Sequence, residues 1–435
     1  MREPTDLLIE PRWLLPMTPA SGVHEGYAVA VDAGRIRALG PATELRERFE
    51  PRTHVLREHH ALLPGLVNAH TRASHALLRA AALPAGGLAA PVPAELAQRA
   101  GVDFVRDGTR FAIAEMLRAG ITCFADLGSH PEEAARIASA AQMRAAIALP
   151  VSEPAGGGAE NVTAQLARAE RLWDEYRSDP RISLFFAPLA AEGLSDGTLT
   201  RVRRVADELD ARLALCLNAE EEFAETALQV RDATPRTALS GALLQRLHAL
   251  GLLRPGFAAI AVKAVDPRDV ELIAREGAAL IACPQASLRA GGSAVVLLEG
   301  QRTALGSDSA AAVGAFDLLA EARTAALLSG FSAAAALRLI TLGGATVLGL
   351  QAHIGSLERG KVADLTCIDL QSLASRACAR VEDAVLFGAT RSEVSDVWTG
   401  GRAAVSAGRL LAFDSEELAD LPLHWAQRLK MAAAA

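Results

Sequence analysis

The sequence predicts an α/β protein: a (β/α)8 barrel joined to a sheet domain assembled from both chain ends. Three observations carry this. The centre of the chain alternates short, continuously apolar runs with helical stretches, and such alternation implies a parallel sheet covered on both faces. About eight of these units fall within roughly 290 residues, as a closed barrel requires. Both chain ends read differently, as strands separated by glycine turns. The predicted boundaries are 1–58 for the N-terminal sheet part, 59–349 for the barrel, and 350–435 for the C-terminal sheet part and tail.

At the N-terminus, "DLLIE", "GYAVAVDAGRIRALG" and "THVLRE" give short apolar runs, with Gly34 placed as a hairpin turn. The first barrel strand reads as "LLPGLVNAH". "ITCFADLG", "AAIALPV", "ISLFFAPLA", "RLALCLNA", "FAAIAVKAV", "AALIACPQAS" and "RTALGSDS" follow it. Between strands, "DFVRDGTRFAIAEMLRAG" and "DPRDVELIAREG" read as helices. In the second, Val270, Ile273 and Ala274 share a face, and Asp266 or Asp269 is available as the cap. Residues 79–100, rich in Ala, Pro and Gly, read as a loop over the barrel mouth, with a lid as the functional alternative. At the C-terminus, "HIGSLERGKVADLTCIDL" gives a turn and a strand. In "VSDVWTGGRAAVSAGRL", Gly400 and Gly401 stand where a two-residue hairpin turn belongs.

Composition narrows the function classes. Hydrophobic residues make up 51% and charged residues 22% of the 435, a globular balance. Aromatics are 4%, so Ala, Leu and Val must build the core. The net charge of −7, with no Lys/Arg block, argues against nucleic acid or an anionic membrane as a partner. The five cysteines are scattered and never form a CxxC pair, which points to a reducing compartment. The acidic start lacks a signal-peptide core, and no apolar run reaches the ~18 residues of a membrane span. The expectation is a cytoplasmic protein.

In a barrel of this kind the polar residues at the C-terminal strand ends carry chemistry. His70 and Arg72 stand two apart at the end of the first strand, and residues i and i+2 of a strand face one side. Two histidines at that spacing would suit a metal. Here one position carries a fixed charge instead.

With these residues in view, the chain resembles the amidohydrolase superfamily, in its cytosine deaminase-like branch. That branch holds the triazine chlorohydrolases and the methylthioadenosine/S-adenosylhomocysteine deaminases. The matching stretches are "LLPGLVNAHT", "FVRDGTRFAIAEMLRAGITCFAD", "LRPGFAAIAVKAVDPRDVELIAREGAALIACPQAS", "TALGSDSAA", "IGSLERGKVADLTCID" and "VWTGGR". They run in family order along nearly the whole chain. The resemblance implies a TIM barrel with a composite β-sandwich, and a divalent metal at the mouth. Its ligands would be two His on strand 1, one each on strands 5 and 6, and an Asp on strand 8.

Carried over position by position, the strand 1 pair becomes His70 and Arg72. Strand 5 offers Asn218 for its ligand and Glu221 for the acid–base glutamate. Strand 6 has Ala261 and Ala264 with Lys263 between them, and strand 8 keeps Asp308. Leu189 stands where a strand 4 histidine is common, and the loop after strand 1 lacks the usual aromatic. None of the ten histidines falls between 131 and 247 or on strand 6. Zinc needs three or four donors, and only His70 and Asp308 remain. The expectation is therefore no metal cofactor.

Losing an ion would leave Asp308 and Glu221 unpaired in a desolvated mouth, so Arg72 is expected to hold Asp308 or Glu221. Lys263 is a second candidate cation. His70 reads as a relic, a ligand or a general base, and His75 and Arg79 are expected at the surface. The function expected first is a catalytically silent barrel that binds a small nitrogen heterocycle. The alternative is a hydrolase of C–N or C–Cl bonds on such a ring, either metal-independent or with an atypical metal site. The Ala/Leu-rich helices near 315–350 could supply the homodimer interface that family members commonly have, and barrel packing explains them equally well.

Overall fold

The computed structural model describes residues 2–20, 22–79, 94–153, 161–217, 236–262, 265–289, 297 and 302–434. Five strands come first: β1 (Glu3–Leu14), β2 (His24–Glu25), β3 (Tyr27–Asp32), β4 (Arg35–Pro41) and β5 (Phe49–Pro64). Eight form the barrel: β6 (Leu66–Thr71), β7 (Ile121–Asp126), β8 (Arg144–Val151), β9 (Ile182–Pro188), β10 (Arg212–Leu217), β11 (Phe257–Ala261), β12 (Ala279–Ala282) and β13 (Thr303–Leu305). Four close the chain: β14 (Leu365–Asp369), β15 (Val394–Thr399), β16 (Arg402–Ser406) and β17 (Arg409–Leu410).

The chain divides into two compact units, residues 1–69, 114–124 and 316–416, and residues 70–113, 125–315 and 417–435. In the first unit one sheet runs in the order β17-β16-β15-β14-β5-β1-β3-β4, with β2 on β1. Both chain ends meet in it, where β14 pairs antiparallel with β5 from Leu365↔Pro64 to Asp369↔His60. Alternation in β1 buries both faces. Leu7 and Ile9 join Val29, Val31, Leu62, Leu365 and Trp398 on one side. Leu8 joins Ala28, Ala30, Leu45 and Phe49 on the other.

The hairpin turns are as the glycines predict. Ala33 and Gly34 (φ 46° and 75°) join β3 to β4, and Gly400 and Gly401 (φ 53° and 74°) join β15 to β16. Both residues of each loop lie in the left-handed region, the geometry whose twist matches paired strands.

The barrel sheet runs β6 to β13 in sequence order, and every registered pair from β8 to β13 is parallel. A parallel bridge between Thr71 and Asp308 brings the last strand's continuation to the first strand. The eight strands are the eight apolar runs of the sequence, and they are buried throughout or nearly so.

Three details bear on the sequence reading. "LLPGLVNAH" is not one strand: Gly65 breaks it, leaving Leu62–Pro64 in β5 and starting β6 at Leu66. A Cβ at Gly65 would lie 2.0 Å from the Thr122 hydroxyl oxygen, so the crossing between sheets needs glycine. Gly65→Ala is expected to cost about 1–3 kcal/mol of unfolding free energy by overpacking, read from a denaturant midpoint. In the helix Pro267–Arg275 the cap is Asp266, which accepts from the Arg268 N–H at 2.8 Å. Asp269 is buried instead, and Ala274 is only half-buried beside buried Val270, Leu272 and Ile273. The expected loop 79–100 lies largely outside the described residues, and its end already belongs to the helix Ala94–Arg118. Among the described residues no helix is long and apolar enough to cross a membrane.

Candidate active site

The site is built where the barrel's first and last strands meet. The His70 carbonyl accepts from Ser307 N at 3.1 Å and Asp308 N at 3.0 Å, and Arg72 N donates to Asp308 O at 3.3 Å. This approach requires Gly306, where a Cβ would lie 2.6 Å from His70 Cβ and 2.8 Å from its backbone N and O. Asp308 takes φ 51°, a left-handed conformation that Asp tolerates better than most residues.

Asp308 Oδ1 then lies 3.4 Å from His70 Nε2 and 3.6 Å from Arg72 Nε. The expected pairing of Arg72 with Asp308 is thus within ion-pair contact. A second carboxylate, Asp126 at the end of β7, accepts the Ala73 N–H at 2.7 Å. The Thr71 hydroxyl donates to Ala125 O at 2.8 Å, which ties the same two strand ends together.

All four charged groups are buried: His70, Asp126, Arg72 and Asp308 expose 1%, 2%, 3% and 7%. Unpaired, each would cost several kcal/mol, so two charges of each sign must offset one another. Burial favours the neutral His70 ring. The Cys216 thiol and the Asp308 carboxylate outweigh it and raise its pKa to about 9. Burial likewise opposes ionised Asp308, but His70 and Arg72 hold its pKa down to about 2. Burial dominates at Asp126, raising it to about 6 against the Ala73 N–H and the two cations.

The His70 proton is held more tightly in the folded state than at the ordinary 6.5. Its contribution is therefore complete below pH 6.5 and lost as pH rises through about 9. Urea midpoints are expected to favour the wild type over His70→Asn at pH 6 and to converge above pH 9. A pH-independent difference would count against the charged ring.

Asn218, Glu221 and Lys263 fall outside the described residues, as does Ala264. Ala261 ends β11 as a buried residue with no donor side chain. His75 is not at the surface: it is partly buried, and burial together with Arg72 pushes its pKa down to about 3. Arg79 is also partly buried, with its guanidinium on Ala76 O (3.0 Å) and Gly314 O (2.9 Å). The sequence singles out neither Asp126 nor Cys216. "FADLG" nonetheless carries a polar residue at a strand end, the signal that singled out His70.

Whether these residues suit a metal ion can be tested on geometry. Two donors at about 2.0–2.1 Å from one tetrahedral zinc lie about 3.3 Å apart. His70 Nε2 and Asp308 Oδ1 are 3.4 Å apart, and neither has a hydrogen bond of good geometry. Two donors of the right kind and spacing are thus present. Among the described residues no third His, Cys, Asp or Glu completes a group able to hold the ion.

Comparison with known proteins bears on the same question. A model described as "Amidohydrolase family" matches residues 61–404, and one described as "Imidazolonepropionase-like composite domain, bacteria" matches residues 28–49. A 5-methylthioadenosine/S-adenosylhomocysteine deaminase of Teredinibacter turnerae is 31% identical over 98% of both chains. One from Saccharophagus degradans is 30% identical over 99% of this chain and 98% of its own. Among solved structures, an adenosine deaminase from Xanthomonas campestris with bound zinc superposes with a TM-score of 0.88. It is 33% identical and covers 99% of this chain and 100% of its own. The zinc complex of atrazine chlorohydrolase from Arthrobacter aurescens, at 20% identity, shares the fold. Its TM-score is 0.78, and it covers 96% of this chain and 99% of its own.

These findings correct the expectation of no metal cofactor. The Xanthomonas campestris neighbour, 33% identical to this chain, carries bound zinc, which runs against that expectation. The histidine count misled because zinc also accepts oxygen and sulfur donors, so a lost imidazole is not a lost site. The catalytically silent barrel expected first finds no support here, and the hydrolase alternative agrees better with relatives named as deaminases. With the barrel, the strand-end pair and a family model spanning most of its length in agreement, the chain belongs to the amidohydrolase family, in its deaminase and chlorohydrolase branch.

Proposed function

We propose that this chain is a hydrolase that releases ammonia from an amino-substituted nitrogen heterocycle of the adenosine type. The observation that supports it most is the buried His70–Asp308 pair at the barrel mouth, 3.4 Å apart, in a chain whose relatives are named as deaminases. His70, on giving up the proton it holds in the ion-free mouth, and Asp308 would hold a divalent ion, with further donors to complete the set. Such an ion supplies a water activated for attack near neutral pH.

The chain's own groups have separate tasks. Deamination breaks a C–N bond while water adds at the ring carbon, so a proton must reach the departing nitrogen. We assign that transfer to Glu221, on the family position. Asp308, ionised at neutral pH, orients the incoming water by accepting its hydrogen bond. Arg72 keeps Asp308 ionised in the desolvated mouth. On the family positions, Asn218 stands where a ligand is expected and Lys263 is a second cation for the carboxylates.

The test is ammonia release from adenosine, 5-methylthioadenosine and S-adenosylhomocysteine by purified protein. Samples as isolated, stripped with chelator and reloaded with zinc are compared, with metal content measured in parallel. Saturable release that rises with bound metal is expected. No ammonia from any of the three substrates with metal-loaded protein overturns the proposal.

A further inference from the structure

Both segments that carry the mouth share one backing. The 3-10 turn Ala73–Leu78 follows Arg72, and the short helix Ala310–Val313 follows Asp308. Leu77 and Leu78 of the first and Ala311 of the second lie in one buried cluster with Phe104, Trp425 and Leu429. Trp425 and Leu429 belong to the C-terminal helix Ser415–Ala434.

Trp425 is the anchor of that helix. It exposes 1% of its surface. Its indole N–H donates to Asp107 Oδ2 at 3.0 Å, and its ring meets Phe104 edge to face with centroids 5.1 Å apart. An ion pair between Arg110 and Glu417 at 2.9 Å holds the same two helices together. Asp107 is followed by Gly108, where a Cβ would lie 2.4 Å from Ser74 O and 2.8 Å from Ser74 Cα. The helix that Trp425 grips is therefore pressed directly on the turn after Arg72. Ala73, next to Ser74 in that turn, has its N–H fixed by Asp126.

We infer that Trp425 is a positioning residue: the C-terminal helix sets the spacing between the strand end bearing His70 and Arg72 and the one bearing Asp308. A tryptophan that merely adds burial would stabilise the barrel without preference for these segments. The catalytic consequence rests on the reading of the mouth as a deaminase site, whereas the spacing itself does not.

Hydrogen exchange in the full chain separates the two cases. In Trp425→Ala, exchange over 70–78 and 309–313 is expected to quicken by about tenfold or more, while 144–151 and 257–261 keep their protection. Trp425→Phe retains the ring and should restore most of it, with Asp107→Asn intermediate. In turnover, Trp425→Ala should lose roughly tenfold to a hundredfold in kcat with KM little changed, and Trp425→Phe should recover it. Uniform quickening, or none at the two segments, overturns the inference. If Trp425→Ala does not fold, the same local-against-uniform comparison is read from Asp107→Asn, where an intermediate quickening confined to the two segments is expected. If the wild type releases no ammonia, the deaminase reading fails, and the exchange pattern still decides the positioning role.

Discussion

Asp308→Asn is expected to lower unfolding free energy by about 3–5 kcal/mol, the usual cost of removing one partner from a buried ion pair, and to abolish turnover. Asparagine is the right replacement because it tolerates the left-handed backbone at this position (φ 51°) and nearly matches the shape. What it removes is the charge. His70, 3.4 Å away, and Arg72, 3.6 Å away, would then be buried cations without their nearest anion. His70 has a way out that Arg72 lacks, because its pKa can fall and the ring can become neutral. The variant should therefore lose the pH dependence that His70 gives the wild type, and its residual stability should improve when Arg72 is also replaced by Met. A double-mutant cycle read by urea unfolding measures that coupling. Additive losses from Asp308→Asn and Arg72→Met would show that the two do not interact.

The same residues indicate how far the sequence could be read. The barrel strands were legible because a strand buried on both faces must be apolar along its whole length, and eight such runs stand out in an alanine-rich chain. Gly65 was not legible as a sheet-to-sheet crossing, because the residues flanking it are apolar on both sides. The need for glycine comes from Thr122, a contact between residues far apart in the chain. His70, Arg72 and Asp308 could be singled out as strand-end polar groups. Asp126 satisfies the same rule but stands at none of the positions where the family places a ligand. The charge balance of the mouth depends on all four groups, so it was only half visible. The metal expectation failed for a related reason: counting one donor type along the sequence says little about a site assembled in space.

A second buried pair lies apart from this chemistry and gives the control. Asp396→Asn is expected to cost a similar 3–5 kcal/mol while leaving turnover per folded molecule unchanged. Asp396 is 1% exposed and receives both Nε (2.8 Å) and Nη2 (2.7 Å) of Arg57, a bidentate contact between β15 and β5. Ser395 Oγ at 2.8 Å and Ala407 N at 3.3 Å fill its remaining lone pairs. Burial alone would raise the carboxyl's pKa, but the Arg57 hydrogen bonds outweigh it and hold it below the ordinary value of 3.8. Because the folded-state value is lowered, the contribution is present above about pH 4 and lost as pH falls further. The wild type and Asp396→Asn should therefore differ at pH 7 and approach each other as pH falls through the lowered carboxyl value, the reverse of the alkaline loss expected at His70. Asp308→Asn and Asp396→Asn remove one buried negative charge each, at comparable thermodynamic cost. If both silence the protein at temperatures where each remains folded, the barrel mouth has no special claim to the chemistry. If only Asp308→Asn does, the strand-end pair carries it.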